Sequence, residues 1–185
     1  MERLDPKSTA VVVIDIQDRL AAVMPPARME NVTRAARILI EGARLLGAPV
    51  LATEQYPKGL GATVAPVRQL LDAVGATPFE KTDFSAWDAD GFADRVKQSG
   101  ARSAVVIGME SHVCVYQTVR DLVRAGIDTW VAVDGVVSRQ DDHREVGIAL
   151  CERAGAARTT AESVAFDWLG RASGDAFKQI SKLVR

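Results

Sequence analysis

Ala10-Val11-Val12-Val13-Ile14 is continuously apolar and, Ala10 aside, β-branched; Asp15-Ile16-Gln17-Asp18-Arg19 follows at once. A short run of this kind, with no polar alternation, reads as a strand buried on both faces. It sets the pattern for the rest of the chain. Apolar positions at helical spacing follow from Ala27 to Leu46, and Gly47 sits where that helix would stop. Pro49–Thr53 is a second strand, followed by a polar, glycine-rich loop from Glu54 to Thr63 that is long enough to carry function. Pro66–Val74 is a helix and Thr77–Glu80 a weak third strand. Asp88 caps a helix running to about Ser99. Ser103–Ile107 is the fourth strand, ended by Gly108, before a helix over Val113–Ala125. Asp128–Val133 is the fifth strand, Asp141–Ala154 a helix and Ala157–Thr160 a short sixth strand. Helices over Ala161–Leu169 and Asp175–Leu183 finish the chain.

Alternation of strands and helices means parallel strands joined by right-handed crossovers. The expected fold is α/β: an open six-stranded parallel sheet with helices on both faces. No linker, repeat or low-complexity stretch interrupts it, so residues 1–185 read as one domain. The composition agrees. The chain has 185 residues, 48% hydrophobic and 25% charged, average for a soluble globular protein able to bury a real core. A net charge of −1 gives no overall basic excess for nucleic acid. No apolar run reaches the length of a membrane span. The opening Met1-Glu2-Arg3-Leu4-Asp5 is too charged for a signal peptide. Two cysteines make no disulfide framework, which points to a reducing, cytoplasmic setting. Two histidines far apart in the chain make a multi-histidine metal site unexpected.

In open parallel sheets the working site lies outside the carboxyl ends of the strands. Those ends offer Asp15 after the first strand, Lys81-Thr82-Asp83-Phe84-Ser85 after the third, and Gly108-Met109-Glu110-Ser111-His112-Val113-Cys114 after the fourth. Singly, each is an ordinary loop or core residue. Together they give an acid, a cation and a thiol. Cys114 at a helix start, near Lys81, favours a thiolate. Asp15 can take the thiol proton and return it to a leaving group. The backbone N–H groups of Glu110 and Cys114 can hold an oxyanion. This is the equipment of acyl transfer.

These segments resemble the isochorismatase-like cysteine hydrolases. Val105–Val115 is similar to their nucleophile segment, Val12–Gln17 to their first-strand acid, and Lys81–Ser85 to their lysine loop. Thr53-Glu54-Gln55-Tyr56-Pro57-Lys58-Gly59-Leu60-Gly61 is similar to the subgroup of isochorismatase domain-containing proteins. The resemblance runs from about Ser8 to Asp167. It implies a six-stranded parallel sheet, a homo-oligomer of two or more copies, catalytic Asp15, Lys81 and Cys114, and a cis peptide between Met109 and Glu110. Departures narrow it. True isochorismatases generally lack the cysteine, so vinyl-ether hydrolysis is disfavoured. Nicotinamidases carry a histidine-containing metal site after the second strand, where this chain reads Glu54-Gln55-Tyr56-Pro57; no metal and no cofactor are expected.

The expected activity is hydrolysis of a small amide, ureido or related acyl compound through a thioester, with a small-molecule partner and neither nucleic acid nor membrane. A haloacid-dehalogenase-like phosphatase is the alternative, although Gln17 stands where its second aspartate belongs. A non-catalytic scaffold is another. Gln17, Gln55, Tyr56, Phe84 and Trp87 are candidate pocket residues, Phe84 and Trp87 equally readable as loop packing. Glu110 is either a second acid or important for its backbone. His112 points away from Cys114 and forms no dyad with it. His143 belongs to an N-terminal capping cluster with Asp141 and Asp142, and Cys151 is buried core.

Overall fold

A computed structural model describes residues 3–185. Met1 and Glu2, part of the reading against a signal peptide, lie outside the described residues. Six strands form a single parallel sheet in the order β3-β2-β1-β4-β5-β6. They are β1 (Thr9–Ile14), β2 (Val50–Gln55), β3 (Phe79–Lys81), β4 (Ser103–Met109), β5 (Asp128–Val137) and β6 (Ala157–Thr159). Every residue of β1 is buried. Its side chains alternate between two cores, as the two-residue period of a strand requires. Val11 and Val13 join one core; Ala10, Val12 and Ile14 join the other.

The helices are α1 (Asp18–Ala21), α2 (Pro26–Leu46), α3 (Pro57–Leu60), α4 (Ala65–Ala73), α5 (Phe92–Gln98), α6 (Tyr116–Arg124), α7 (Asp141–Arg153), α8 (Ala161–Leu169) and α9 (Gly174–Leu183). Buried residues of α2, α4, α8 and α9 pack against the first core: Leu39, Leu71, Trp168 and Ile180 are among them. Phe92 of α5, Leu122 of α6 and Ile148 of α7 pack against the second. At the sheet centre β1 and β4 approach so closely that a Cβ on Gly108 would lie 2.0 Å from the Ile14 carbonyl oxygen, and Gly108 has φ 131°. Only glycine fits there. The approach brings the ends of β1 and β4 side by side.

Local differences from the sequence reading cluster near those ends. The loop expected over Glu54–Thr63 is partly ordered. Register with β3 carries β2 out to Gln55, which pairs with Lys81, and Pro57 starts the one-turn α3. The helix expected from Asp88 splits into a 3₁₀ turn over Ala86–Asp88, capped by the Ser85 hydroxyl, and α5. The helix expected from Val113 starts earlier, as a π-helical segment over Ser111–Val115 that leads into α6. β5 bulges and runs on to Val137, because Val106 pairs with Val131 whereas Gly108 pairs with Val136.

Candidate active site

Asp15 follows β1 directly in a left-handed conformation, φ 50°, which costs energy for a non-glycine residue and aims its carboxylate across the sheet edge. The side chain is fully buried. Its Oδ1 accepts from the Thr53 hydroxyl at 2.7 Å and its Oδ2 from Lys81 Nζ at 2.6 Å. Lys81 ends β3. Its ammonium also donates to Gln55 Oε1 at 2.6 Å and to the Asp83 and Phe84 carbonyls, each at 3.2 Å. Thus every hydrogen of a buried ammonium is engaged, as burial demands.

Cys114 sits in the π-helical segment, 6% exposed, near enough to Asp15 and Lys81 for both charges to act on its thiol. π-Helical turns are rare and frequent at functional sites. The segment is tied down on several sides. Thr118 Oγ1 donates to the Cys114 carbonyl at 2.7 Å and accepts from the Ala86 N–H at 2.9 Å, joining the thiol segment to the lysine loop. The Ser111 N–H donates to Ser138 Oγ at 3.1 Å, and Arg139 donates from its N–H and its Nε to Glu110 Oε2 at 3.0 and 3.1 Å. A Cβ on Gly147 of α7 would come within 2.5 Å of the His112 nitrogen and the Ser111 carbonyl carbon. The Met109–Glu110 peptide is cis.

The thiol itself departs from expectation. Burial, and secondarily the Asp15 charge, push the Cys114 pKa up to about 12 against the opposing pull of Lys81. Desolvation outweighs the favourable charge of Lys81. At neutral pH the resting side chain is therefore a thiol. Cys151, 1% exposed, is pushed up to about 12 chiefly by burial, but it has no acid–lysine pair beside it.

Pocket candidates separate into tethers and rim. Gln17 is fully buried and spent: its Oε1 accepts from the Gln55 N–H at 2.7 Å, and its Nε2 donates to the Gln55 and Gly61 carbonyls at 3.0 and 2.6 Å. It shapes the turn after β2 and is not free for a ligand. Gln55 is likewise held, between Lys81 Nζ and the Thr82 carbonyl. Tyr56 and Phe84 are exposed, 54% and 53%. Tyr56 and Lys81 line a cleft of about 490 Å³ with Pro57, Glu80, Asp83 and Asp88. Trp87 packs against the second core. Glu110 spends its carboxylate on Arg139, which removes it as a second acid.

The two histidines, distant in sequence, meet in space. Their ring centroids are 4.9 Å apart. His112 Nδ1 lies 3.0 Å from Ser138 Oγ, so His112 pairs with a serine rather than with Cys114. Among the described residues, no cluster of three or more histidine, cysteine or acidic side chains is arranged to hold a metal. Thr53, Thr118, Ser138 and Arg139 escaped the sequence reading. Ser138 and Arg139 obey the same strand-end rule as Asp15, but the apolar run alone places the end of β5 at Val133, four residues before its end at Val137.

An all-parallel six-stranded sheet with its polar groups gathered at one carboxyl edge is a three-layer α/β fold of the hydrolase kind. The chain belongs to the isochorismatase family: the isochorismatase domain matches residues 9–163. It is 36% identical over 188 residues to isochorismatase domain-containing protein 2 of Bos taurus, covering 99% of this chain and 86% of that protein. It is 34% identical over 183 residues to isochorismatase domain-containing protein 1 of Salmo salar. That match covers 98% of this chain, which spans only 62% of the relative's length. Among solved structures, the MAR1 ribonuclease of Caenorhabditis elegans superposes with a TM-score of 0.89 at 34% identity, covering 99% of this chain and 92% of that one. Membership of this family sets aside the haloacid-dehalogenase alternative.

Proposed function

We propose that this chain, as one domain, is a cysteine hydrolase of small amide, ureido or related acyl compounds. The observation that carries the reading is the buried Asp15–Lys81 ion pair with the buried Cys114 thiol near enough to feel both charges. Asp15 removes the Cys114 proton as the sulfur attacks the substrate carbonyl. The resulting oxyanion is met by the N–H groups of Glu110 and Cys114. The proton on Asp15 passes to the leaving nitrogen, the C–N bond breaks, and a thioester remains. Water, deprotonated by Asp15, attacks that thioester; the acid leaves and the thiol is restored. Lys81 keeps the Asp15 carboxylate compensated through each step and fixes its orientation. Tyr56 and Phe84 form the rim that meets the substrate, and no metal or cofactor enters the cycle.

We further propose a homo-oligomer acting in the cytoplasm, which light scattering and cell fractionation would check. The deciding experiment is hydrolysis of a panel of amides, ureides and esters by wild type and Cys114→Ala. An RNA arm is included because a solved relative bears the name ribonuclease. Turnover of an acyl substrate that vanishes in Cys114→Ala supports the reading. Acyl turnover that survives the substitution, or RNA cleavage alone, overturns it.

A further inference from the structure

Ser138, His112 and Ser111 form a chain of hydrogen bonds beside the nucleophile, and its direction follows from counting hydrogens. Ser138 is completely buried, so water does not serve its hydroxyl. Its oxygen accepts from the Ser111 N–H. Its single hydrogen must go elsewhere. Among the described residues the recorded acceptor is His112 Nδ1, at 3.0 Å. Ser111 Oγ, also buried, has no partner and does not take that hydrogen. Nδ1 therefore carries the lone pair, and His112 is a neutral imidazole protonated at Nε2.

From this geometry we infer that His112 is a positioning residue: through Ser138 it holds the first N–H of the segment that carries Cys114, and its protonation releases that hold. A second proton would go on Nδ1. Two hydrogens would then face each other across the 3.0 Å gap, and the Ser138 hydroxyl would have to turn into an enclosure without an acceptor. Buried polar groups avoid that state.

The surroundings favour the neutral ring. Burial lowers the His112 pKa below its ordinary value, and His143 and Arg139 press it the same way, while Glu110 opposes them. Those three groups face the ring from its own segment, from α7 and from the β5–α7 turn. Glu110 is already neutralised by Arg139 at 3.1 Å. His143, 4.9 Å away between ring centroids, adds like charge when both rings are protonated. Ser138 and Arg139 are consecutive, as are Glu110 and Ser111. The turn after β5 is thus zipped to the nucleophile segment by two adjacent side chains, Ser138 and Arg139, and the first of them is oriented by the acid-responsive His112.

This inference rests on the reading of Cys114 as the nucleophile, and its test is kept separable. In ¹⁵N-labelled protein at pH 7.5, the His112 side chain should show an unprotonated Nδ1 and a protonated Nε2. As pH falls through the His112 titration, the Cys114 reaction rate with methyl methanethiosulfonate should drop more steeply than tenfold per pH unit. His112→Asn, whose Oδ1 replaces the Nδ1 acceptor without titrating, should restore the tenfold slope. His112→Ala and Ser138→Ala should both slow the reaction at pH 7.5. A protonated Nδ1 in the wild type, or superimposable pH profiles for wild type and His112→Asn, would overturn the inference. If the profile breaks as expected while no acyl substrate is turned over, the hydrolase reading fails and the positioning role stands.

Discussion

Lys81 Nζ lies 2.6 Å from Asp15 Oδ2, and both side chains are sealed from solvent. A buried ion pair is a poor way to gain stability, because desolvating both charges offsets most of their attraction. Its presence at the carboxyl edge of the sheet, on a strained Asp15, is better explained by chemistry than by folding.

Removing one partner isolates the other. Lys81→Met should abolish turnover and destabilise the fold by about 3–5 kcal/mol, the usual result of leaving a buried charge unpaired. Asp15→Ala should do the same from the other side. Chemical denaturation of the purified variants gives the stability change; a loss below about 1 kcal/mol would mean that the pair is not sealed as described.

The thiol provides a test whose sign is unusual. Burial and then the Asp15 charge raise the Cys114 pKa to about 12, whereas Lys81 lowers it. Asp15→Asn removes the second of the raising effects and leaves Lys81 in place. Iodoacetamide should therefore label Cys114 faster in Asp15→Asn than in wild type at pH 9, even as turnover is lost. In wild type the labelling rate should keep rising with pH well beyond the ordinary thiol range. A plateau near pH 8.5 would contradict the assignment.

Alkaline pH should destabilise the protein through both cysteines. Cys114 and Cys151 hold their protons to about 12 when folded, against 9.0 as the ordinary value. Between those limits the unfolded chain has released protons that the folded one retains, so stability falls as pH rises. The contribution is intact below pH 9 and is lost progressively towards 12. Cys151→Ala should flatten part of this limb. Urea midpoints measured from pH 8 to 11 check it, and identical slopes in the two proteins would count against the burial of Cys151.

Gly147 of α7 is not one of the proposed catalytic residues, yet a Cβ there meets the backbone of the segment that carries Cys114 at 2.5 Å. Backbone cannot swing aside as a flexible side chain can. Gly147→Ala should lower turnover at least tenfold and the melting temperature with it. Gly75→Ala is the control for helix-flanking glycine: it has nothing within 4 Å, although its φ of 68° carries a strain cost of its own. Equal turnover in the Gly147 variant and wild type would show that α7 does not brace the segment.

The order of strands and helices was legible because β-branched runs and helical spacing are local signals. Asp15, Lys81 and Cys114 could be chosen because strand ends are where parallel sheets place their chemistry. What surrounds them was not legible. The bulge that carries β5 to Val137 is set by pairing with β4, so nothing local in the sequence marks Ser138 and Arg139 as strand-end residues. The meeting of His112 and His143 depends on the close approach that Gly147 permits. Gln17 looked like a pocket residue; only the fold shows that its amide is consumed by the turn after β2. The thiol pKa went the other way from expectation because the depth of Cys114 is a tertiary property.

The central claim is that Cys114 forms a covalent bond to substrate. Acid-quenched mass spectrometry during steady-state hydrolysis of whichever acyl compound the panel identifies tests it most directly. The account predicts an acyl mass increment on the peptide containing Cys114, absent from Cys114→Ala and lost in Asp15→Ala. An increment on another residue, or full turnover by Cys114→Ala with no adduct at all, would contradict it.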